Sequence, residues 1–503
     1  MPGYLLGFDV GSSSIKASLL NAETGRSVAS ATAPETEMTI SAPQPGWAEQ
    51  DPNEWWALMN EATAKIRKTA QKELAETEAI GVAYQMHGLV IVDADGKALR
   101  PSIIWCDSRA VPYGAAAFRA LGEERCLSHL LNSPGNFTAA KLAWVKENEP
   151  GIFRRIWKVM LPGDYLAYRM TGEAVTTPSG LSEGVFWDFR DERPASFLLD
   201  HFGFDAALLP SEKPSFAVHG HVTAHAAEEL GIPAGTPVSY RAGDQPNNAF
   251  SLNVLEPGEL AATAGTSGVV YGIVDTPSYD PKSRVNTFVH VNHSREAARY
   301  GVLLCVNGTG ILNKWLKQNT VDSHQGATVG YDEVNRIAAQ APVGSLGLTF
   351  LPFGNGAERT LENVEIQSSL HGLNFNIHDR RHLLRAGQEG IVFALAYGIE
   401  IMRGMGLEVS TVKAGDANMF LSPIFGDAFA TTTGTHVGLY NTDGSLGAAR
   451  GAGVGAGTFA SPKDAFIGLE AVRTIEPDQG TADQYAEAFG VWKQKLAAEL
   501  PRR

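Results

Sequence analysis

The chain has 503 residues, too many for one compact core, so two large domains are expected. A composition of 44% hydrophobic and 19% charged residues is that of an ordinary globular protein, and the net charge of −14 argues against nucleic acid or an anionic membrane as the main partner. Three scattered cysteines (Cys106, Cys126 and Cys305) make no disulfide framework or zinc spacing, and no run of about 18 apolar residues or basic leader occurs, so a cytoplasmic location is expected.

In chain order, residues 5–10 read as a buried apolar strand, Gly11-Ser12-Ser13-Ser14 as a turn, and residues 15–20 as a returning strand. Such a turn offers backbone N–H groups and hydroxyls to phosphate oxygens. Asp9 beside it has the chemistry to hold Mg²⁺, which favours carboxylate oxygens and retained waters. Asp51-Pro52 supplies an N-cap and a first helical residue for a helix to about residue 72. A strand over 79–84 ends at Gln85-Met86-His87-Gly88, at the carboxyl end where open α/β sheets bind ligands. His87 is there either to bond a sugar hydroxyl or to hold the loop. Short strands follow at 90–93 and 103–105. The second runs into Cys106-Asp107-Ser108-Arg109, which is either the floor of a sugar site behind Trp105 or a surface ion pair. Helices are expected at 138–149 and 163–171.

A strand over 236–241 leads into Ala242-Gly243-Asp244-Gln245-Pro246, where the boundary between a domain of residues 1–245 and one of 246–503 is placed. Asp244 can accept a proton from a substrate hydroxyl or cap the helix that follows, and the two roles are compatible. Gln245 offers a donor and an acceptor for hydroxyl recognition. Ala264-Gly265-Thr266-Ser267-Gly268 repeats the opening pattern of strand, Gly/Thr/Ser turn and strand, so the architecture reads as duplicated with nucleotide between the halves. Helices are expected at 308–317, 380–405 and 446–459, with a peripheral one past 480. Gly415-Asp416-Ala417-Asn418 follows a strand at 411–414 and either admits a flat base or is a plain turn. The glycines of 451–457 lack the preceding strand and later acid of a dinucleotide fingerprint and read as close helix packing.

These motifs together resemble the FGGY family of carbohydrate kinases over almost the whole chain. The resemblance rests on 9–16, on Gly46-Trp47-Ala48-Glu49-Gln50-Asp51-Pro52, on 85–88 with 100–109, on Ala242-Gly243-Asp244, and on the motifs at 265–268 and 415–418. It implies an α/β protein of two actin-like (ribonuclease H-like) domains with a cleft between them, and ATP with Mg²⁺ as cosubstrate. Asp244 is then the catalytic base. Met86, His87, Asp107, Asp244 and Gln245 form the sugar site, Asp9 holds the metal, and Gly11, Ser12, Ser13, Lys16, Gly265, Thr266, Gly310, Gly415 and Asn418 bind nucleotide. D-xylulose is the acceptor expected first, with ribulose, glycerol or another polyol as alternatives and a non-catalytic ATP switch as the rival class. A homodimer is implied by family analogy. The chain departs from the family at Asn136, at Gly387-Gln388, and at Gln245-Pro246, which is similar to the glycerol-phosphorylating members.

Overall fold

The computed structural model describes residues 3–322 and 328–501. Two sheets dominate it. The first is six-stranded, in the order Phe216–His221, Pro237–Gly243, Thr77–Tyr84, Tyr4–Val10, Ile15–Asn21, Ser27–Ala33. Its three central strands run parallel, and those towards either edge pair antiparallel. The second is seven-stranded, in the order Asn286–Val289, Tyr300–Val306, Gly268–Val274, Glu259–Ala264, Thr411–Gly415, His436–Tyr440, Ala471–Ile475. It repeats the plan: an antiparallel hairpin, two parallel neighbours, then an antiparallel edge. The near-continuous apolar runs foreseen in the sequence belong to strands covered on both faces, and Gly268–Val274 is buried throughout.

Local chemistry sets the flanking helices. Asp51 caps Pro52–Thr69 by accepting from the Asn53 N–H at 2.9 Å. The long helix Arg380–Gly404 is capped by Asp379 and buries an almost unbroken run from Leu384 to Ala396. The helix Ala482–Glu499, expected to be peripheral, instead sends Trp492 fully into the core, where its indole N–H donates to the Phe350 carbonyl at 3.0 Å.

The helix Gly444–Ala456 follows a strand of the second sheet yet lies across the first. Its small residues allow the close approach: a Cβ on Gly7 would stand 1.9 Å from the Ser445 carbonyl oxygen, and one on Gly81 2.0 Å from that of Ala448. Gly455 likewise abuts the Ser239 carbonyl. Ala448, Ala449 and Ala452 share one core with Leu5, Ala79, Ala83, Tyr240 and Phe250. No helix among the described residues is long and apolar enough to cross a membrane.

Candidate active site

The first hairpin is held from below by the 46–52 segment. Gln50 donates to the Ser12 carbonyl at 2.7 Å and accepts from Gln85 and from the Trp55 indole. The turn is thus fixed by a buried amide chain, with Gly11, Ser12 and Ser13 on the wall of a cleft of about 690 Å³. Asp9, Lys16, Met86, His87, Asp244, Gln245 and Ser267 line the same space. Lys16 pairs with Asp443 at 2.6 Å, and Asp443 also caps the helix Gly444–Ala456 through the Ser445 and Leu446 N–H groups. A Cβ on Gly444 would meet an Asp9 oxygen at 2.2 Å, so a side chain there would displace the Asp9 carboxylate.

His87 sits at φ +63°, a left-handed conformation that a non-glycine residue holds only when its surroundings enforce it. Three contacts do so. Its Nδ1 bonds the Glu183 carbonyl at 2.8 Å, its own carbonyl accepts from Lys141 Nζ at 2.8 Å, and its ring meets Phe137 edge to face at 4.8 Å. A carbonyl only accepts, so Nδ1 carries the hydrogen and Nε2 is left as an acceptor. Burial pushes the imidazole down to about 3, with the Lys141 charge adding to it, so the ring is neutral. Lys141 itself is fully buried and pushed down to about 7 by that burial, against the pull of Asp107.

Asp244 opens the helix Asp244–Ser251, with Gly243 in the capping position. Burial, then the charge of Asp9, raises its carboxyl to about 7, against hydrogen bonds from Gln245. Asp9 is raised to about 6 by burial and by Asp443, with Lys16 opposing. Behind Asp244, the fully buried Glu183 is raised well above the usual carboxyl range by burial and by Asp244. Gln245 Oε1 is a buried acceptor without a partner among the described residues.

The second hairpin packs on the helix Gly310–Thr320, whose Gly310 N–H donates to the Gly265 carbonyl at 2.9 Å and whose Ile311 N–H reaches that of Thr266 at 3.3 Å. A side chain on Gly310 would collide with the Gly265 oxygen at 2.4 Å. Asn418, at φ +55°, places Nδ2 3.7 Å from the point a Gly265 Cβ would occupy. Gly265, Thr266, Gly310 and Asn418 therefore adjoin one another, and Gly415 ends the strand that leads to Asn418. No group of three or more His, Cys, Asp or Glu residues among the described ones forms a metal cage.

Asp107 is placed elsewhere. Its carboxylate is fully buried and accepts from the Ala48 N–H at 2.6 Å and from Arg109 at 2.6 Å, away from the cleft wall. Arg109 lies 3.7 Å over Trp47, touches Trp144, and pairs with Glu49. Asp107 and Arg109 thus form an internal ion-pair frame beneath the exposed Trp105, Cys106 and Ser108, and of this segment Trp105 lines the cleft. Sequence reading missed Asp443 and Glu183. An Asp three residues before the small-residue helix expected from 446 was a visible capping signal for the former, which caps the helix Gly444–Ala456 directly, and nothing local marked the latter. It also missed the cleft wall from the second half, Asn307, Glu358 and Arg359.

Two α/β domains of actin-like plan share one cleft, lined by Ser12 and Ser13 of the first hairpin and Ser267 of the second, an architecture that carbohydrate kinases have in common with other ATP-using proteins. Residues 4–251 match the N-terminal domain of the FGGY family of carbohydrate kinases. The chain is 30% identical over 466 residues to the xylulose kinase of Escherichia coli (strain K12), covering 92% of each chain. It is 28% identical to that of Bacillus subtilis (strain 168), over 97% of this chain and 96% of the relative. The crystal structure of xylulose kinase from Rhodospirillum rubrum superposes with a TM-score of 0.87 at 27% identity, covering 98% of both chains. The chain belongs to the FGGY family of carbohydrate kinases, and as such it takes a sugar and ATP as substrates.

Proposed function

We propose that the chain phosphorylates D-xylulose to D-xylulose 5-phosphate, with Asp244 as general base. The observation that carries this reading is the Asp244 carboxyl, raised to about 7, on the wall of a cleft shared with Met86, His87 and the first hairpin. A base poised near the working pH matches the proton affinity such a transfer needs. The ketose lies against Met86 and His87, whose bare Nε2 accepts from one sugar hydroxyl, while Gln245 Oε1 accepts from another. Asp244 takes the proton of the terminal hydroxyl as that oxygen bonds to the γ-phosphorus and the bond to the ADP oxygen breaks. The Ser12–Ser13 and Gly265–Ser267 turns hold phosphate oxygens from either wall, and Asn418 lies on the adenosine side. Asp9 suits Mg²⁺, which is held beside nucleotide phosphates by one or two carboxylates and retained waters, and the Asp443 and Asp244 carboxyls are near enough to feel its charge. When bound, the ion would neutralise charge on the transferring group. Xylulose as acceptor is supported by the relatives of Escherichia coli and Bacillus subtilis, described as xylulose kinases.

The test is coupled ADP release over a panel of D-xylulose, D- and L-ribulose, glycerol and gluconate. The expected result is the highest kcat/KM on D-xylulose. A higher value on another acceptor overturns the substrate, and no sugar-dependent ADP release overturns the kinase reading.

A further inference from the structure

The sugar end of the cleft has a wall contributed by the second half of the chain. Arg359, on the turn Arg359–Leu361, places its guanidinium 5.6 Å over the Phe137 ring. Its Nη2 is 3.4 Å from where a Cβ on Gly135 would stand, so the side chain reaches across to the 133–137 loop of the first half. Its hydrogen bond is a long one, from Nη1 to the Ser283 carbonyl at 3.4 Å. Burial lowers its pKa to about 10 with no carboxylate among the described residues compensating, and it remains a cation at neutral pH. The adjacent Glu358 is no counter-ion: it accepts from the Asn307 N–H at 2.9 Å, and burial raises it to about 8. A guanidinium has five N–H donors, and among the described residues most of these are unspent.

Asn136 faces the same space. Its Nδ2 donates to the Asp107 carbonyl, which fixes the amide orientation, and its Oδ1 is left buried without a partner among the described residues. The charge of Arg359 is felt at His87, so donor and acceptor flank the His87 end of the cleft. A hydroxyl satisfies both, accepting from the guanidinium and donating to Oδ1. A carboxylate satisfies the guanidinium alone and leaves Oδ1 facing lone pairs.

We propose that Arg359 and Asn136 read one hydroxyl of a neutral polyhydroxy acceptor, remote from the oxygen that is phosphorylated. The second half of the chain is then part of the sugar site, and the acceptor bridges the two walls. This rests on the kinase reading above. Equilibrium binding of D-xylulose and of its deoxy analogues at each carbon in turn, without ATP, separates the two. Arg359→Gln should weaken D-xylulose binding about 10–100-fold, as expected for losing a charge-assisted hydrogen bond. Arg359→Lys should be intermediate, and Asn136→Ala should weaken binding at the same hydroxyl. On the one analogue lacking that hydroxyl, wild type and Arg359→Gln should bind alike, a pattern that general damage to the fold would not produce. Equal binding of D-xylulose by wild type and Arg359→Gln overturns the proposal. So does a loss of equal size on every analogue, or a wild type that binds no neutral acceptor while binding gluconate. If binding follows the expected pattern but no sugar raises ADP release, the kinase reading fails and the hydroxyl site stands.

Discussion

Replacing Asp244 by Asn removes the proposed base while keeping its size, and two measurements on one variant follow from the same raised pKa. With a midpoint of about 7, the ionised fraction is about 0.09 at pH 6 and about 0.9 at pH 8, so wild-type kcat/KM for the sugar should rise about tenfold across that range. Asp244→Asn should lower kcat by about 10²–10⁴ and flatten the profile. The second measurement is stability. A carboxyl raised from 3.8 to about 7 binds more protons in the folded state than in the unfolded one. Stability therefore falls as pH rises between those values, and the loss is complete above the folded pKa. Three units correspond to about 4 kcal/mol as an upper bound, part of which solvent screens because Asp244 faces the open cleft. The inactive variant should melt higher than wild type at pH 8 without nucleotide, and the difference should vanish towards pH 4. A flat wild-type profile from pH 6 to 8, or a variant that melts lower than wild type at pH 8, refutes the reasoning.

Asp443→Ala removes the cap of the Gly444–Ala456 helix and the partner of Lys16. It should cost about 1 kcal/mol, a fall in Tm of about 2–4 °C, and an unchanged melting curve would contradict it. Gly81→Ala drives a methyl into the Ala448 carbonyl, 2.0 Å from its Cβ, and should cost about 1–3 kcal/mol by urea titration. Lys141→Met leaves the His87 carbonyl without its donor. Acceptor KM should rise about tenfold with ATP KM unchanged, whereas equal changes in both would show a general loss of fold.

Much of this was legible because the chemistry is local. Asp51-Pro52 announces its helix by two side chains, and the Gly/Ser turns at 11–14 and 265–268 carry their own signal in composition. Met86, His87, Asp244 and Gln245 each follow a strand end, and the structure brings them to one cleft. What escaped depends on partners distant in sequence. Asp107 looked like a floor for sugar because nothing nearby reveals that the Ala48 N–H and Arg109 take up its oxygens. Arg359 reads as an ordinary surface cation until Gly135 and Phe137 are seen beside it, more than two hundred residues earlier in the chain. Trp492 lies in a helix expected to be peripheral, and its burial depends on the Phe353, Phe393 and Phe489 rings around it and on the Phe350 carbonyl that accepts its N–H.

The helix Gly444–Ala456 has a consequence for how the chain is made. The face of the first sheet that it covers is finished early, since its last strand ends at Gly243, yet its cover ends at Ala456. At about 5–20 residues per second, a ribosome takes roughly 10–40 s to cross that interval. Throughout that time Leu5, Ala79, Ala83 and Tyr240 have no lid. A fragment ending near residue 251 would leave this face uncovered, and is expected to present Leu5, Ala79, Ala83 and Tyr240 to solvent as an exposed apolar patch.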